Sequence, residues 1–247
     1  MWPAFRHRIS HRLAMHVPLA RRRLRNDEPI VSFTFDDVPR SAVTAGASAL
    51  EAREGRGTFY VSGSTVGAEI DEIALADVDD LVVLHRRGHE LACHTYSHRQ
   101  VVDMDRRAMA ADIERNRCFF GSLQSAIELK NFAYPFGVGS LQSKHWLGGR
   151  FRSGRSIMPG VNAGMVDLHF LKSTPLIDRQ IDRDGIDRML EQTLTSRGWL
   201  IFYTHDVTDT PGYYGCSRRL LDHALAAAGR RGIAIRTVDE GLDACRV

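Results

Sequence analysis

Two neighbouring aspartates, Asp36 and Asp37, end a short apolar run, and two histidines, His94 and His98, stand four residues apart further on. One carboxylate and two imidazoles make an oxygen- and nitrogen-rich donor set suited to zinc or another divalent ion. Three protein ligands leave positions open for water, as a catalytic site requires. Histidines four apart meet on one face of a helix. Side chains that follow one another on a strand point to opposite faces. Asp36 and Asp37 therefore share a site only if the strand ends there and the chain turns, which Pro39 fits. Each cluster also has a plainer reading. Aspartates are favoured helix caps, and a helical pattern follows Asp37. Two of 11 histidines can fall four apart by chance. A lone histidine such as His205, after the apolar run 199–203, is more often structural than catalytic. Cys93 precedes His94 on an expected strand and should point the opposite way, into the core.

The elements that must position these groups alternate along the chain. Strands are expected at 30–35, 57–61, 89–93, 131–134, 199–204 and 233–238. Helices are expected at 42–53, 76–87, 105–123 (capped by Asp103 or Asp105), 140–147, 185–197 and 217–229. The segment 149–180 is less regular and reads as loops and short strands. Strand–helix alternation with few hairpin turns argues for a parallel sheet. In such sheets the chemistry gathers at the carboxyl ends of the strands. Asp36-Asp37, His94 and His205 each fall at such an end.

Four short motifs, in order, make a more specific pattern: TFDD at 34–37, HTYSH at 94–98, YPFG at 134–137 and FYTH at 202–205. Together they resemble the polysaccharide deacetylase family, carbohydrate esterases that include chitin, chitooligosaccharide and peptidoglycan deacetylases. The resemblance spans roughly residues 30–240. It implies a distorted, incomplete parallel β/α barrel and a metal-dependent hydrolase that removes the N-acetyl group from an amino sugar. By the same resemblance Asp37, His94 and His98 hold one divalent ion, zinc being the expected one. Asp36 is the catalytic base, His205 the general acid, and the backbone N–H of Phe136 the oxyanion donor. The sequence departs from the family pattern in three places. Val38 stands where a glycine usually follows the aspartates, and Ala133 where an arginine often precedes the proline turn. No aspartate–tryptophan motif is evident in 149–180, which holds Arg155-Ser156 and Pro159-Gly160-Val161-Asn162 instead. A carboxylate base beside a metal benefits from a cation that orients it, and Arg155 is the candidate for that role. The alternative is a solvated surface arginine.

Composition sets the frame. The chain has 247 residues, 43% hydrophobic and 26% charged, with a net charge of +3. Its first 26 residues carry seven arginines and no acid, so the body is mildly acidic and gives no case for nucleic-acid binding. Residues 1–29 read as a basic arm and linker before a catalytic domain at 30–247. In the arm, Trp2, Phe5, Ile9, Leu13 and Val17 recur at helical steps until Pro18. Such a face either packs on its own domain or rests on an anionic membrane surface. No run reaches the roughly 18 apolar residues of a membrane span, and no signal-peptide pattern is seen. The expected location is therefore cytoplasmic, peripheral to the inner face of the membrane if the arm binds it. Cys93, Cys118, Cys216 and Cys245 lack CxxC spacing and read as reduced, mostly buried thiols. Three rival functions use related residues. A deformylase of a lipid-linked amino sugar would share the whole site. A ferrous oxygenase shares the two-histidine, one-carboxylate set but usually sits on an antiparallel jelly roll. A non-catalytic sugar-binding module would need neither Asp36 nor His205.

Overall fold

The apolar runs become eight strands of one curled sheet in the computed structural model, which describes residues 10–124 and 127–247. They are β1 (Ile30–Asp36), β2 (Thr58–Val61), β3 (Glu90–Cys93), β4 (Asn131–Ala133), β5 (Ser153–Arg155), β6 (Thr174–Pro175), β7 (Trp199–Thr204) and β8 (Ala234–Ile235). The order is β6-β7-β1-β2-β3-β4-β5, with β8 also on β1, and every pairing is parallel. The sheet curls until its edges meet through one bridge. Arg155 at the end of β5 pairs with Leu171, just ahead of β6. The Leu171 N–H donates to Gly154 O at 2.8 Å and the Ser156 N–H to Leu171 O at 2.9 Å. The result is the expected distorted parallel barrel.

Helices α1 (Ala47–Glu51), α2 (Val78–Arg86), α3 (Arg106–Leu123), α4 (Leu141–Gly148), α5 (Arg183–Ser196), α6 (Arg218–Arg230) and α7 (Val238–Ala244) complete it, a π-helical turn at Ala42–Gly46 leading into α1. Asp77, Asp105, Ser140, Asp182, Ser217 and Thr237 each cap a helix by accepting the N–H three residues on. Each cap is worth about 0.5–2 kcal/mol. Strand periodicity sorts β1 into two faces. Val31, Phe33 and Phe35 join the main apolar core, with Phe35 stacked on Phe59 at 4.7 Å. Ser32, Thr34 and Asp36 alternate with them. Ser32 Oγ accepts from Trp199 Nε1 at 2.9 Å, and Thr34 Oγ1 donates to Phe202 O at 2.8 Å.

One expectation is revised, at the last strand, and that of short strands within 149–180 is met. The last strand is only Ala234–Ile235, because Thr237 and Glu240 form a reciprocal capping box that starts α7 inside the expected strand. The irregular segment contributes β5 and β6 to the barrel. It also supplies Met165–Asp167, which pairs antiparallel with Arg21–Arg23. Cys93, Cys216 and Cys245 are buried and Cys118 is exposed, all as free thiols.

Of the expected apolar face of the arm, Trp2, Phe5 and Ile9 lie outside the described residues. Residues 10–16 are helical. Ala14 is fully buried, whereas Leu13 and Val17 are exposed, so this part of the helix turns the expected stripe outward. Its seat is the buried Lys144. The ammonium donates to Ala14 O at 2.6 Å and Val17 O at 2.8 Å and pairs with Asp167 at 2.5 Å. Asp167 in turn accepts the Leu19 and Ala20 N–H groups. Among the described residues no helix is long and apolar enough to cross a membrane.

Candidate metal centre and active site

Asp36 continues the inward alternation of β1 and is buried at 4% exposure. Asp37 would face the helices if the strand ran on. Instead Asp37 and Val38 both take positive φ, 57° and 48°, and this left-handed turn brings the Asp37 carboxylate back to the site of Asp36. A β-branched residue in that region is strained, by about 1–3 kcal/mol. The backbone at Val38 therefore has the conformation that a glycine adopts without cost, and the valine holds it by being buried.

The histidine pair is brought together differently from what its spacing suggested. Residues 94–98 are a bent loop and not a helix. Thr95 and His98 have φ of 64° and 51°. Asp112 on α3 ties the loop down by accepting the Tyr96 N–H at 2.7 Å and the Ser97 N–H at 3.3 Å. The two rings end 5.1 Å apart, centroid to centroid. His94 Nδ1 lies 2.9 Å from Ala133 O, and a carbonyl can only accept, so Nδ1 carries the proton and Nε2 keeps a free lone pair. Burial, more than any neighbouring charge, pushes His94 down to about 3 and lowers His98 as well, so both rings are neutral, the form in which an imidazole can bind a metal. Cys93 points away, its sulfur accepting from Asn116 Nδ2 at 3.3 Å.

Donor atoms of Asp37, His94 and His98 lie within 4.8 Å of one another. Asp37 Oδ1 is 3.1 Å from His98 Nε2 and 3.8 Å from His94 Nε2. Ligands held tetrahedrally at about 2.1 Å from zinc stand roughly 3.4 Å apart, so the set fits a small divalent ion. Asp37 Oδ1 is buried without a hydrogen-bond partner, and burial pushes its carboxyl up to about 6. Both features are what a cation would relieve.

Arg155 reaches Asp36 from the far side of the barrel. It is 1% exposed, and one terminal nitrogen donates to both Asp36 oxygens at 2.6 Å. Its other terminal nitrogen donates to Ser173 Oγ at 3.2 Å, and its guanidinium lies over the Tyr60 and Tyr203 rings, at 4.9 and 5.3 Å. Burial raises the Asp36 carboxyl, but the charge of Arg155 and its hydrogen bonds outweigh it. The group ends below the ordinary carboxylate range and stays ionised. Ala133 and Arg155 are register partners on neighbouring strands. The missing arginine at Ala133 thus has a counterpart one strand over.

His205 stands across the site, its Nε2 3.7 Å from Asp37 Oδ2 and its backbone N–H donating to Tyr214 O at 3.3 Å. Phe136 follows Pro135 in the turn after β4 with φ of 58°. Its exposed ring lies 4.8 Å from that of His98. The structure therefore collects Asp36, Asp37, His94, His98, Phe136, Arg155 and His205 at the carboxyl end of the barrel. Sequence reasoning missed Asp112, Ser173 and the two tyrosines around Arg155. Of these only Tyr203, inside the FYTH motif, carried a local signal.

The family model described as "Polysaccharide deacetylase" matches residues 23–145, a span that holds both aspartates, both loop histidines and the YPFG turn and stops before Arg155 and His205. A bifunctional xylanase/deacetylase of Pseudobutyrivibrio xylanivorans is 27% identical over 110 residues, 44% of this chain and 17% of that protein's length. The chitin deacetylase of Colletotrichum lindemuthianum superposes with a TM-score of 0.63 at 16% identity, covering 88% of this chain and 89% of that one. A peptidoglycan deacetylase of Bacillus subtilis gives 0.60 at 14% identity, covering 89% and 93%. At these identities the structural likeness is one of fold.

Proposed function

We propose, on the premise that this chain is a member of the polysaccharide deacetylase family through residues 23–145, that it hydrolyses the N-acetyl group of an amino sugar carried by a glycan or glycolipid. One observation carries the reading. An Arg155-clamped carboxylate, Asp36, stands beside the Asp37, His94 and His98 donors, with His205 opposite. A divalent ion held by those three donors, zinc by their chemistry, would acidify a water and polarise the amide carbonyl. Asp36, ionised and fixed by Arg155, accepts the proton of the attacking water. The Phe136 N–H, presented by the left-handed turn, donates to the oxygen on which negative charge develops. His205 donates a proton to the nitrogen as the C–N bond breaks, since an amide anion is a poor leaving group. Acetate and a free amino sugar result.

The test is product release from a panel of N-acetylated sugars, with and without chelator. Acetate that disappears with chelator supports the reading. Formate released from an N-formylated amino sugar, and no acetate, would replace it by the deformylase. Sugar binding without any release would make the protein a binding module. The parallel barrel already disfavours the oxygenase, which usually sits on an antiparallel scaffold.

We also assign the arm, whose Leu13 and Val17 are exposed along with Arg12 and Arg21–Arg23, to weak contact with an anionic membrane surface. Each basic residue at such a surface is worth on the order of 1 kcal/mol. Co-sedimentation with anionic vesicles at low salt tests it, and a chain that stays in the supernatant ends the assignment.

A further inference from the structure

The loop after His205 exposes two neighbouring aromatic rings. Tyr213 is 62% and Tyr214 55% exposed, and their rings lie 4.8 Å apart at 75°. Large exposed aromatics in contact with each other are informative, because water does not favour them there. Nor is the loop slack. Asp206, nearly buried, accepts the Gly212 N–H at 2.9 Å through its carboxylate and the Cys216 N–H at 2.9 Å through its carbonyl. A Cβ at Gly215 would lie only 2.1 Å from Asp206 Oδ1, so the chain passes where a glycine alone fits. The Tyr214 carbonyl holds the His205 N–H. The fold therefore presents both rings rigidly, and the Tyr214 ring stands 5.4 Å from the His205 ring. Beyond it the Arg179 guanidinium lies 5.1 Å over Tyr213. On the His98 side of the site a third exposed ring, Phe136, completes the surroundings of the donor set.

We propose that Tyr213 and Tyr214 form a stacking wall for the pyranose units adjoining the one that is deacetylated, which makes the substrate an oligosaccharide rather than a single amino sugar. This rests on the deacetylase reading above and goes further by naming the substrate class and the residues that select it. The axial C–H faces of a pyranose are apolar and its rim is hydroxylated. A tyrosine matches both, with a flat apolar face and a polar tip. Tyr214, beside the acid His205, lies where the sugar next to the reacting one would sit. Tyr213, with Arg179 and its donors, extends the surface by one more unit.

The experiment compares wild type with Tyr213→Ala, Tyr214→Ala and Tyr214→Phe. Acetate release is measured on N-acetylglucosamine and on its β-linked tetramer, and calorimetry measures tetramer binding to the zinc-loaded protein at low temperature. Each alanine removes one aromatic face and should raise the tetramer KM and Kd by about threefold to tenfold. Tyr213→Ala, which does not adjoin His205, should show the loss in KM more than in kcat. Tyr214→Phe should keep most of the affinity. Alanine variants that bind and process the tetramer like wild type would overturn the wall. So would a wild type that cleaves monomer and tetramer with equal kcat/KM. Tetramer binding that needs both tyrosines, in a protein that releases no acetate, would uphold the wall while refuting the deacetylase reading. Absence of tetramer binding by wild type would refute the wall whatever the protein hydrolyses.

Discussion

The barrel holds a carboxylate near each of its ends, and it surrounds them in opposite ways. At the amino end of β3, Glu90 accepts from Thr58 Oγ1 at 2.8 Å, Asn131 Nδ2 at 2.7 Å and the Asp239 N–H at 3.0 Å. Asn131 is held in turn by Ser153 Oγ, and Asp239 by Lys130 and Arg152. None of these polar side chains is left without a partner. At the carboxyl end, Asp37 Oδ1, Thr95 Oγ1, Ser97 Oγ, Arg155 Nε and His205 Nδ1 are buried and unpartnered. Five residues there, Asp37, Val38, Thr95, His98 and Phe136, have positive φ. Burial alone therefore does not mark a functional carboxylate. A closed set of hydrogen bonds makes Glu90 a structural fastening. Open valences and strained backbone around Asp36 and Asp37 are stability given up so that ligands can complete the set.

The largest expected effect tests the open end. Asp36→Asn should lower kcat by about 10²–10⁴ while the metal content, read by elemental analysis, stays near one per chain. His94→Ala and His98→Ala should lose the metal itself. Full occupancy in both would break the assignment of the donor set. Next is the clamp. Arg155→Ala leaves Asp36 buried without its cation, and denaturant melts should show a loss of about 3–5 kcal/mol, with turnover falling as well. Arg155→Lys should recover part of both. An Arg155→Ala protein as active and stable as wild type would remove the clamp.

The closed end should respond in the reverse sense. Glu90→Gln places an amide donor against donors and should cost about 1–3 kcal/mol of stability with kcat unchanged. A large fall in kcat would dissolve the contrast between the two ends. The smallest effect is a pH dependence at His89, buried beside Glu90. Its Nδ1 accepts the Gly57 N–H at 3.0 Å and its Nε2–H donates to Glu51 at 2.8 Å, so the neutral ring fits the fold. Burial lowers its pKa despite Glu51, so the unfolded chain takes up a proton that the folded one resists. Its contribution is present above about pH 6.5 and lost as pH falls through that value toward the lowered one. His89→Asn should be less stable at neutral pH and lose less on acidification. Parallel slopes for the two proteins in urea melts between pH 7 and 5 would exclude His89 as the source.

Much of this arrangement was legible in the residues alone. The order of the strands and helices follows from periodicity and local hydrogen bonding, which act within a few residues; the cap read as Asp103 or Asp105 is Asp105. The choice of Asp37, His94 and His98 as candidate metal donors came from their residue types and the order of the motifs. Their geometry did not. The spacing of His94 and His98 suggested a helix, whereas Asp112 and two left-handed residues fold that stretch into a loop. A capping box at Thr237 lay in plain view and was overridden by the apolar run before it. The meeting of Arg155 with Asp36 was decided by tertiary structure alone. The two are 119 residues apart, and only the register that sets Arg155 beside Ala133, in a sheet curled far enough to face β1, brings charge to charge. The seating of the arm on Lys144 is of the same kind. Local rules specify what each segment becomes. Which segments face one another depends on sheet curvature and strand register, and those are properties of the whole packed core.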